Sequence, residues 1–389
     1  MRLNPVLAGM QAYPFVRLAE AKRATAARGI QVIDFGIGEP REETPAFIRR
    51  ALTRAIDAEP ISTYPVAEGL PELREAVAGW AGRRFGATLD PDSEVVPTMG
   101  SKEAIFHLAQ VVAGHGDRVA VTTPGYPVPS RGALFAGAEL MNVALDPQSG
   151  WQPDLDAVDW EGIALLWLNF PNNPTAATAT LELYERAAAL AQAHGFVLAS
   201  DEAYSELWFS GDPPVSALQL ADRTNLVVFN TLSKRSSMPG YRSGFVAGDP
   251  EVIAALKRYR PNVGVAPPEF IQHAAVAAWG DEAHVEDVRA LYRAKRDTLL
   301  PVFEAAGIRH AGGDATFFLW LDAGERADPL AAELLEHGVV IAPGSFFGPA
   351  GEGFLRLALV PTLAECERAA ALLASVVGVQ GGVEAGPGA

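Results

Sequence analysis

The sequence predicts an α/β protein: a large domain on a mainly parallel, seven-stranded sheet covered by helices, and a smaller α+β domain beside it. Three observations predict this. First, from residue 94 onward short apolar runs fall at 95–96, 119–121, 140–145, 163–168, 196–199, 226–229 and 245–247. Second, helical stretches such as 102–112 and 181–194 separate several of these runs, the rhythm of a parallel sheet buried on both faces. Third, after a helix-rich passage at 267–300 come strands at 316–321, 339–341 and 355–359 and a helix at 363–376, which reads as a smaller α+β unit. A chain of 389 residues has room for two or three such units. The expected division is an N-terminal arm, helix and strand over 1–44 joining the small domain, a large domain over 45–285, a small C-terminal domain over 286–378, and a flexible tail over 379–389.

The N-terminal elements follow in order. Pro14 suits a first helical turn, and Phe15, Leu18, Ala19 and Lys22 keep helical spacing until Gly29 ends it. A short strand over 32–40 closes in a turn punctuated by Gly36 and Gly38. Residues 45–58 form a helix with Phe47, Ile48, Leu52 and Ile56 facing inward. A loop over 62–69 leads to a helix opened by Pro71 that runs to about Phe85.

Composition excludes several classes of function. A hydrophobic fraction of 49% with 20% charged residues is that of an ordinary globular protein. The formal net charge of −16, with no basic patch, argues against nucleic acid as a partner, and solubility accounts for the acidity. Cys366 is the only cysteine, so neither an internal disulfide nor a cysteine metal cage is expected. The 7 histidines lack metal-ligand spacing, and no metal site is expected. No apolar stretch reaches membrane-spanning length, and the start lacks the apolar core of a secretory signal, so the cytoplasm is the expected location.

The candidate chemistry centres on a lysine. Lys22, Lys257 and Lys295 each adjoin an arginine on helical-looking surface and are expected to be solvated. Lys102 and Lys234 instead sit among Ser and Gly at the mouths of predicted strands, where open α/β sheets collect ligands. Lys234, with Ser233 before it and Arg242 eight positions on, could carry a Schiff base to a phosphorylated aldehyde; a surface lysine on a turn is the plain alternative. Lys102 remains its rival.

Other strand ends carry further candidates. At Gly100-Ser101-Lys102 the backbone amides could seat a phosphate at a helix start, or Ser101 could simply cap that helix with Glu103 in its first turn. Tyr126, after Pro124 and Gly125, could stack on a planar ring or pack as a turn residue. Asn172, Asn173, Pro174 and Thr175 make a rigid turn that exposes side-chain amides. Asp201 ends an apolar strand, where a carboxylate is costly without a cationic partner; a protonated pyridine nitrogen would supply one, and Tyr204 would reach the ring oxygen. Arg356 alternates with Leu355, Leu357 and Leu359, so its fork could bind a carboxylate or lie solvated on an edge strand.

Taken together, these residues resemble the site of fold type I pyridoxal-phosphate enzymes, the aspartate aminotransferase superfamily of class I/II aminotransferases. The resemblance covers nearly the whole chain, and its most specific parts are Asn172 to Thr175, Asp201 with Tyr204, and Ser233-Lys234 with Arg242. It implies pyridoxal 5'-phosphate as cofactor, with Lys234 as Schiff-base lysine and Asp201 on the pyridine nitrogen. Asn173 and Tyr204 would hold the phenolic oxygen, and Tyr126 would stack on the ring. Gly100, Ser101, Lys102, Thr231, Ser233 and Arg242 would surround the phosphate. Gly38, Asn173 and Arg356 would receive the substrate carboxylate. It also implies a homodimer with shared active sites, Tyr64 being offered to the phosphate of the opposite subunit. Two departures are Ala176, where many members have Gly, and Thr231, where many have Ser.

Within the superfamily the 233–249 stretch, the Ala12-Tyr13-Pro14-Phe15 start and the 63–74 stretch look most like the N-succinyldiaminopimelate aminotransferases. That implies glutamate as amino donor and N-succinyl-2-amino-6-oxopimelate as acceptor, in lysine biosynthesis. Aminotransferases for alanine, aspartate or aromatic substrates and carbon–sulfur lyases are the alternatives on the same scaffold. A non-catalytic ligand-sensing module is a remote one. A nicotinamide dehydrogenase is disfavoured, because no G-x-G-x-x-G follows a strand.

Overall fold

A computed structural model describes residues 1, 3–10, 14–264 and 266–376. The expected tail and the 12–13 part of the N-terminal motif lie outside the described residues. Strands are numbered along the chain. They are β1 (Ile33–Asp34), β2 (Val95–Thr98), β3 (Arg118–Thr123), β4 (Glu139–Asp146), β5 (Gln152–Pro153), β6 (Ile163–Asn169) and β7 (Val197–Asp201). Then come β8 (Leu226–Thr231), β9 (Gly244–Gly248), β10 (Arg309–His310), β11 (Phe318–Asp322), β12 (Val339–Val340), β13 (Ala342–Pro343) and β14 (Phe354–Ala358).

Each of the seven apolar runs becomes a strand of one large sheet. Among the described residues that sheet has eight strands, in the order β2-β9-β8-β7-β6-β3-β4-β5. The eighth is the two-residue β5, which pairs antiparallel with β4 and is too short to leave an apolar signature. Strands β4, β3, β6, β7 and β8 run parallel to one another, while β9 lies antiparallel between β8 and β2. The apolar runs are continuous rather than alternating because both faces are covered: β8 is buried at every position. One face packs around Trp80, Trp279 and Phe245, and the other around Leu108, Trp167 and Phe229.

The remaining strands lie elsewhere. A four-stranded sheet, β10-β11-β14-β13, encloses its own core of Phe303, Leu319, Leu321, Leu355 and Leu357, and β1 pairs parallel with β12 beside it. Strand β14 is therefore not at an edge: β11 and β13 flank it, and Arg356 is 3% exposed. The solvated edge-strand alternative for Arg356 is excluded.

Two other expectations are corrected. Ile56 does not face inward; it is 50% exposed on the helix Ala46–Ala58. Ile48, Ala51, Leu52 and Ala55 follow a helical stripe, whereas Ile56 lies about 80° around the axis from Ile48. Lys295 is not solvated either. It is fully buried in the helix Ala283–Ala305 and paired with Glu42, a partner too distant in sequence for local patterning to reveal.

Candidate active site

The parallel strands all point their C-terminal ends at one edge, and the loops leaving that edge build a cavity of about 400 Å³. Its lining includes Gly38, Ser101, Lys102, Tyr126, Asn173, Asp201, Tyr204, Thr231, Ser233, Lys234, Arg242 and Arg356. Chain segments more than three hundred residues apart thus meet at one point. Gly100 stands just behind, against Arg242. Tyr64 does not join: it is 94% exposed in the single chain.

Lys234 occupies a one-turn helix, Leu232–Arg235, whose N-cap Thr231 accepts the Ser233 N–H at 3.2 Å. The Lys234 Nζ donates to the Gly38 carbonyl at 2.7 Å. Burial, reinforced by the positive charge of Arg356, lowers its pKa from 10.5 to about 8. Lys102, by contrast, is exposed on the first turn of the helix Ser101–Val112. Of the two, Lys234 is the buried one, and its lowered pKa suits covalent chemistry.

That helix is not capped by Ser101. Its N-cap is Gly100, with φ +72°, and no side chain caps it, while Glu103 accepts the Met99 N–H at 3.1 Å. A Cβ at Gly100 would come within 2.5 Å of an Arg242 Nη, so only glycine lets this guanidinium approach the helix start. Arg242 is fixed there by donating to Pro239 O at 2.9 Å and Met99 O at 3.0 Å. Helix amides, the Ser101 and Ser233 hydroxyls and a guanidinium together make a seat for a phosphate.

At the other end of the cavity, burial raises the Asp201 carboxyl from its ordinary 3.8 to about 7, against the Ala203 N–H and Lys234, which lower it. It does not cap a helix; its Oδ1 accepts the Ala203 N–H at 3.2 Å in a local turn. A carboxylate so desolvated is suited to a protonated ring nitrogen. Tyr204 is buried beneath Phe317 and Phe318, with ring centroids 5.4 Å away in each case, and burial raises its phenol well above the ordinary value.

The Asn172–Thr175 turn is tied internally. Asn172 Oδ1 accepts from the Thr175 N–H at 3.0 Å and from its hydroxyl at 2.9 Å. Asn169, which sequence reasoning did not single out, accepts the Asn173 N–H at 3.0 Å and donates to Asp201 O at 2.8 Å. A polar residue closing an otherwise buried apolar strand was the signal available for it. Phe318 and Phe347 were also missed. Their rings lie 4.4 and 4.6 Å from the Arg356 guanidinium, a contact between β11, β14 and the 3-10 helix Gly344–Phe347 that leaves no local pattern. Arg356 itself donates to Asn173 Oδ1 at 3.0 Å and to Gly36 O at 2.6 Å.

A helix start facing a guanidinium, a buried lysine amine and a buried carboxyl in one cavity suit an enzyme of the pyridoxal-phosphate class. Comparison with known proteins agrees. The model for "Aminotransferase class I and II" matches residues 30–373. The chain is 34% identical over 385 residues to the LL-diaminopimelate aminotransferase of Nitratidesulfovibrio vulgaris, covering 96% of this chain and 99% of that one. Among solved structures, an aminotransferase from Neisseria meningitidis superposes with a TM-score of 0.88 at 35% identity, covering 96% of this chain and 100% of the other. A probable N-succinyldiaminopimelate aminotransferase from Thermus thermophilus superposes with a TM-score of 0.85 at 32% identity, covering 93% and 99%. The chain belongs to the class I and II aminotransferases, a family of pyridoxal-phosphate enzymes that transfer amino groups. The close approach at Gly100 and the desolvated Asp201 carboxyl fit that cofactor's phosphate and ring nitrogen respectively.

Proposed function

We propose that this aminotransferase takes an amino group from glutamate and delivers it to N-succinyl-2-amino-6-oxopimelate, a step of lysine and diaminopimelate biosynthesis. The observation that carries the carboxylate half of this reading is the buried fork of Arg356, held in the same cavity as Lys234 on neutral acceptors that an incoming carboxylate can replace. The substrate choice is supported by the relatives, which act on diaminopimelate or bear the name of its succinylated form. Their names also favour a second reading, unmodified LL-diaminopimelate as amino donor.

In this reading, the bound cofactor supplies an electron sink for charge that develops on the substrate's α-carbon. Arg356 holds the α-carboxylate, with the Gly38 backbone beside it. The Lys234 amine, whose pKa burial lowers to about 8, would take the proton from the substrate's α-carbon and return it on the far side of the substrate nitrogen, as base and then acid. Asp201 would keep a proton on the ring nitrogen, Asn173 and Tyr204 would hold the ring oxygen, and Tyr126 would cover the ring face. Gly100, Ser101, Lys102, Thr231, Ser233 and Arg242 would surround the phosphate.

The same reading makes the enzyme a cytoplasmic homodimer, with Tyr64 reaching the neighbouring subunit's phosphate. Exposed apolar side chains near that loop, Ile61 at 79% and Val66 at 59% together with Ile56, support an interface there. It also divides the chain into a large unit over 45–285 and a smaller one over 1–44 and 286–378, supported by the separate small sheets. No helix among the described residues is long and apolar enough to cross a membrane.

The deciding experiment is the visible spectrum of the cofactor-loaded protein, titrated separately with glutamate, N-succinyl-LL-diaminopimelate, LL-diaminopimelate, aspartate and alanine. Bleaching by glutamate and the succinylated compound supports the primary reading. Bleaching by LL-diaminopimelate but not the succinylated compound supports the second. Bleaching by aspartate or alanine alone overturns both, and release of pyruvate and ammonia from cystathionine makes the enzyme a lyase.

A further inference from the structure

Lys295 is a fully buried charged side chain that no step of the reaction uses. It is 0% exposed, its Nζ pairs with Glu42 Oε1, and it lies 5.0 Å from the Tyr292 ring centroid. Placing an ammonium there is expensive, and a well-packed apolar pair of similar volume is often as stable. Its position explains more than its stability does.

Glu42 ends the strap of backbone that begins at Gly36. Along this strap, the Gly36 carbonyl accepts from Arg356 at 2.6 Å and the Gly38 carbonyl accepts from Lys234 at 2.7 Å. The near end is pinned by Asp34, whose Oδ1 accepts the Gly36 N–H at 2.9 Å while Lys22 pairs with its other oxygen at 2.7 Å. From behind, the strap leans on rings: a Cβ at Gly38 would come within 2.8 Å of Phe318, which packs on Phe317 at 4.8 Å, and Phe317 packs on Tyr292 at 5.2 Å. Tyr292 and Lys295 lie on the same helix, Ala283–Ala305. The far end of the strap is thus fastened by the helix that also backs its middle.

We propose that Lys295 and Glu42 form a latch that holds the strap 36–42 where its carbonyls meet Arg356 and Lys234. Lys295 is then a positioning residue for the substrate carboxylate, with no direct contact to it. The proposal rests on reading Arg356 as the carboxylate fork.

The test uses cofactor-loaded Lys295→Met and Glu42→Gln. Glu42→Gln keeps an oxygen acceptor against the buried ammonium and serves if Lys295→Met does not fold. Calorimetric titration with maleate, a non-reacting dicarboxylate, reads carboxylate affinity, and pyridoxal-phosphate affinity is measured alongside. Loosening the strap should weaken maleate binding by about tenfold, since displacements well away from the reacting atoms cost this much or more, while cofactor affinity stays within a factor of two. Arg356→Lys is the control. If it weakens maleate binding while both latch variants leave it unchanged, the latch is wrong and the carboxylate reading stands. If Arg356→Lys has no effect, the carboxylate reading fails and the latch with it. An equal loss of maleate and cofactor affinity in the latch variants would mean a purely structural pair, which also overturns the proposal.

Discussion

Arg356 Nη1 donates to Asn173 Oδ1 at 3.0 Å across 183 residues of sequence, joining the small sheet to the loop that follows β6. Both residues are buried, and both line the cavity that holds Lys234. The bond keeps the fork aimed before any carboxylate arrives.

Replacing Arg356 by Lys keeps the charge and loses the planar fork. Loss of one charge-assisted bond, about 2 kcal/mol, should lower kcat/KM by roughly thirtyfold, chiefly through KM. Steady-state kinetics with a saturating acceptor would reveal it, and an unchanged KM would move the carboxylate elsewhere.

The desolvated carboxyl of Asp201 has a cost in the cofactor-free protein. Its folded pKa, about 7, exceeds its ordinary 3.8, so the folded chain holds an extra proton between these values. The sign follows: this contribution is fully present below about pH 4 and is lost as pH rises through 7. Asp201→Asn removes the penalty. The cofactor-free variant should therefore be more stable than wild type at pH 8, by on the order of 2 kcal/mol, and no more stable at pH 4. Urea unfolding at the two pH values measures this, and the same variant should lose nearly all transamination.

The Lys234 amine, with its pKa lowered to about 8 by burial, sets the pH at which the cofactor is captured. Only the neutral amine attacks an aldehyde, so the capture rate should climb with pH and level off above about 8, rather than climbing to the ordinary lysine value of 10.5. Stopped-flow absorbance of the cofactor-free protein mixed with pyridoxal phosphate gives the profile directly. Lys234→Ala should show no such phase.

Ala176 holds a left-handed backbone, a conformation that favours glycine. Its φ is +60° and its side chain is fully buried. Ala176→Gly should trade about 1 kcal/mol of backbone strain for a similar entropic cost, leaving stability within about 0.5 kcal/mol and activity intact. Ala176→Val, with a β-branched side chain at positive φ, should destabilise by about 2 kcal/mol or more. Thermal melts of the two variants separate these outcomes.

The strands of the large sheet were legible because their apolar runs are continuous and end in Gly, Pro and Asn, both local properties. Asp201, Lys234 and the Asn173 turn stand out in the sequence because each follows an apolar run, and the structure brings all three to one cavity. What escaped was non-local. The pairing of Lys295 with Glu42, the ring sandwich on Arg356 and the seating of Asn169 under Asn173 depend on which elements meet, and no window of sequence contains both partners. Ile56 was misread because helical spacing fixes angles and not which face meets a neighbour.

The bond from Arg356 to the Gly36 carbonyl spans 320 residues, nearly the whole chain. During synthesis, the residues proposed to hold the cofactor and the strand β9 that joins β2 to β8 precede Arg356 by more than a hundred residues, so the substrate end of the cavity is completed last. In the proposed reading, a nascent chain would carry its cofactor seat before the residue that recognises the substrate carboxylate is made. Binding of that group would favour the compact form of the large-sheet segment while more than a hundred residues are still to come. In the proposed reading, cofactor supplied during translation would then raise the yield of folded protein.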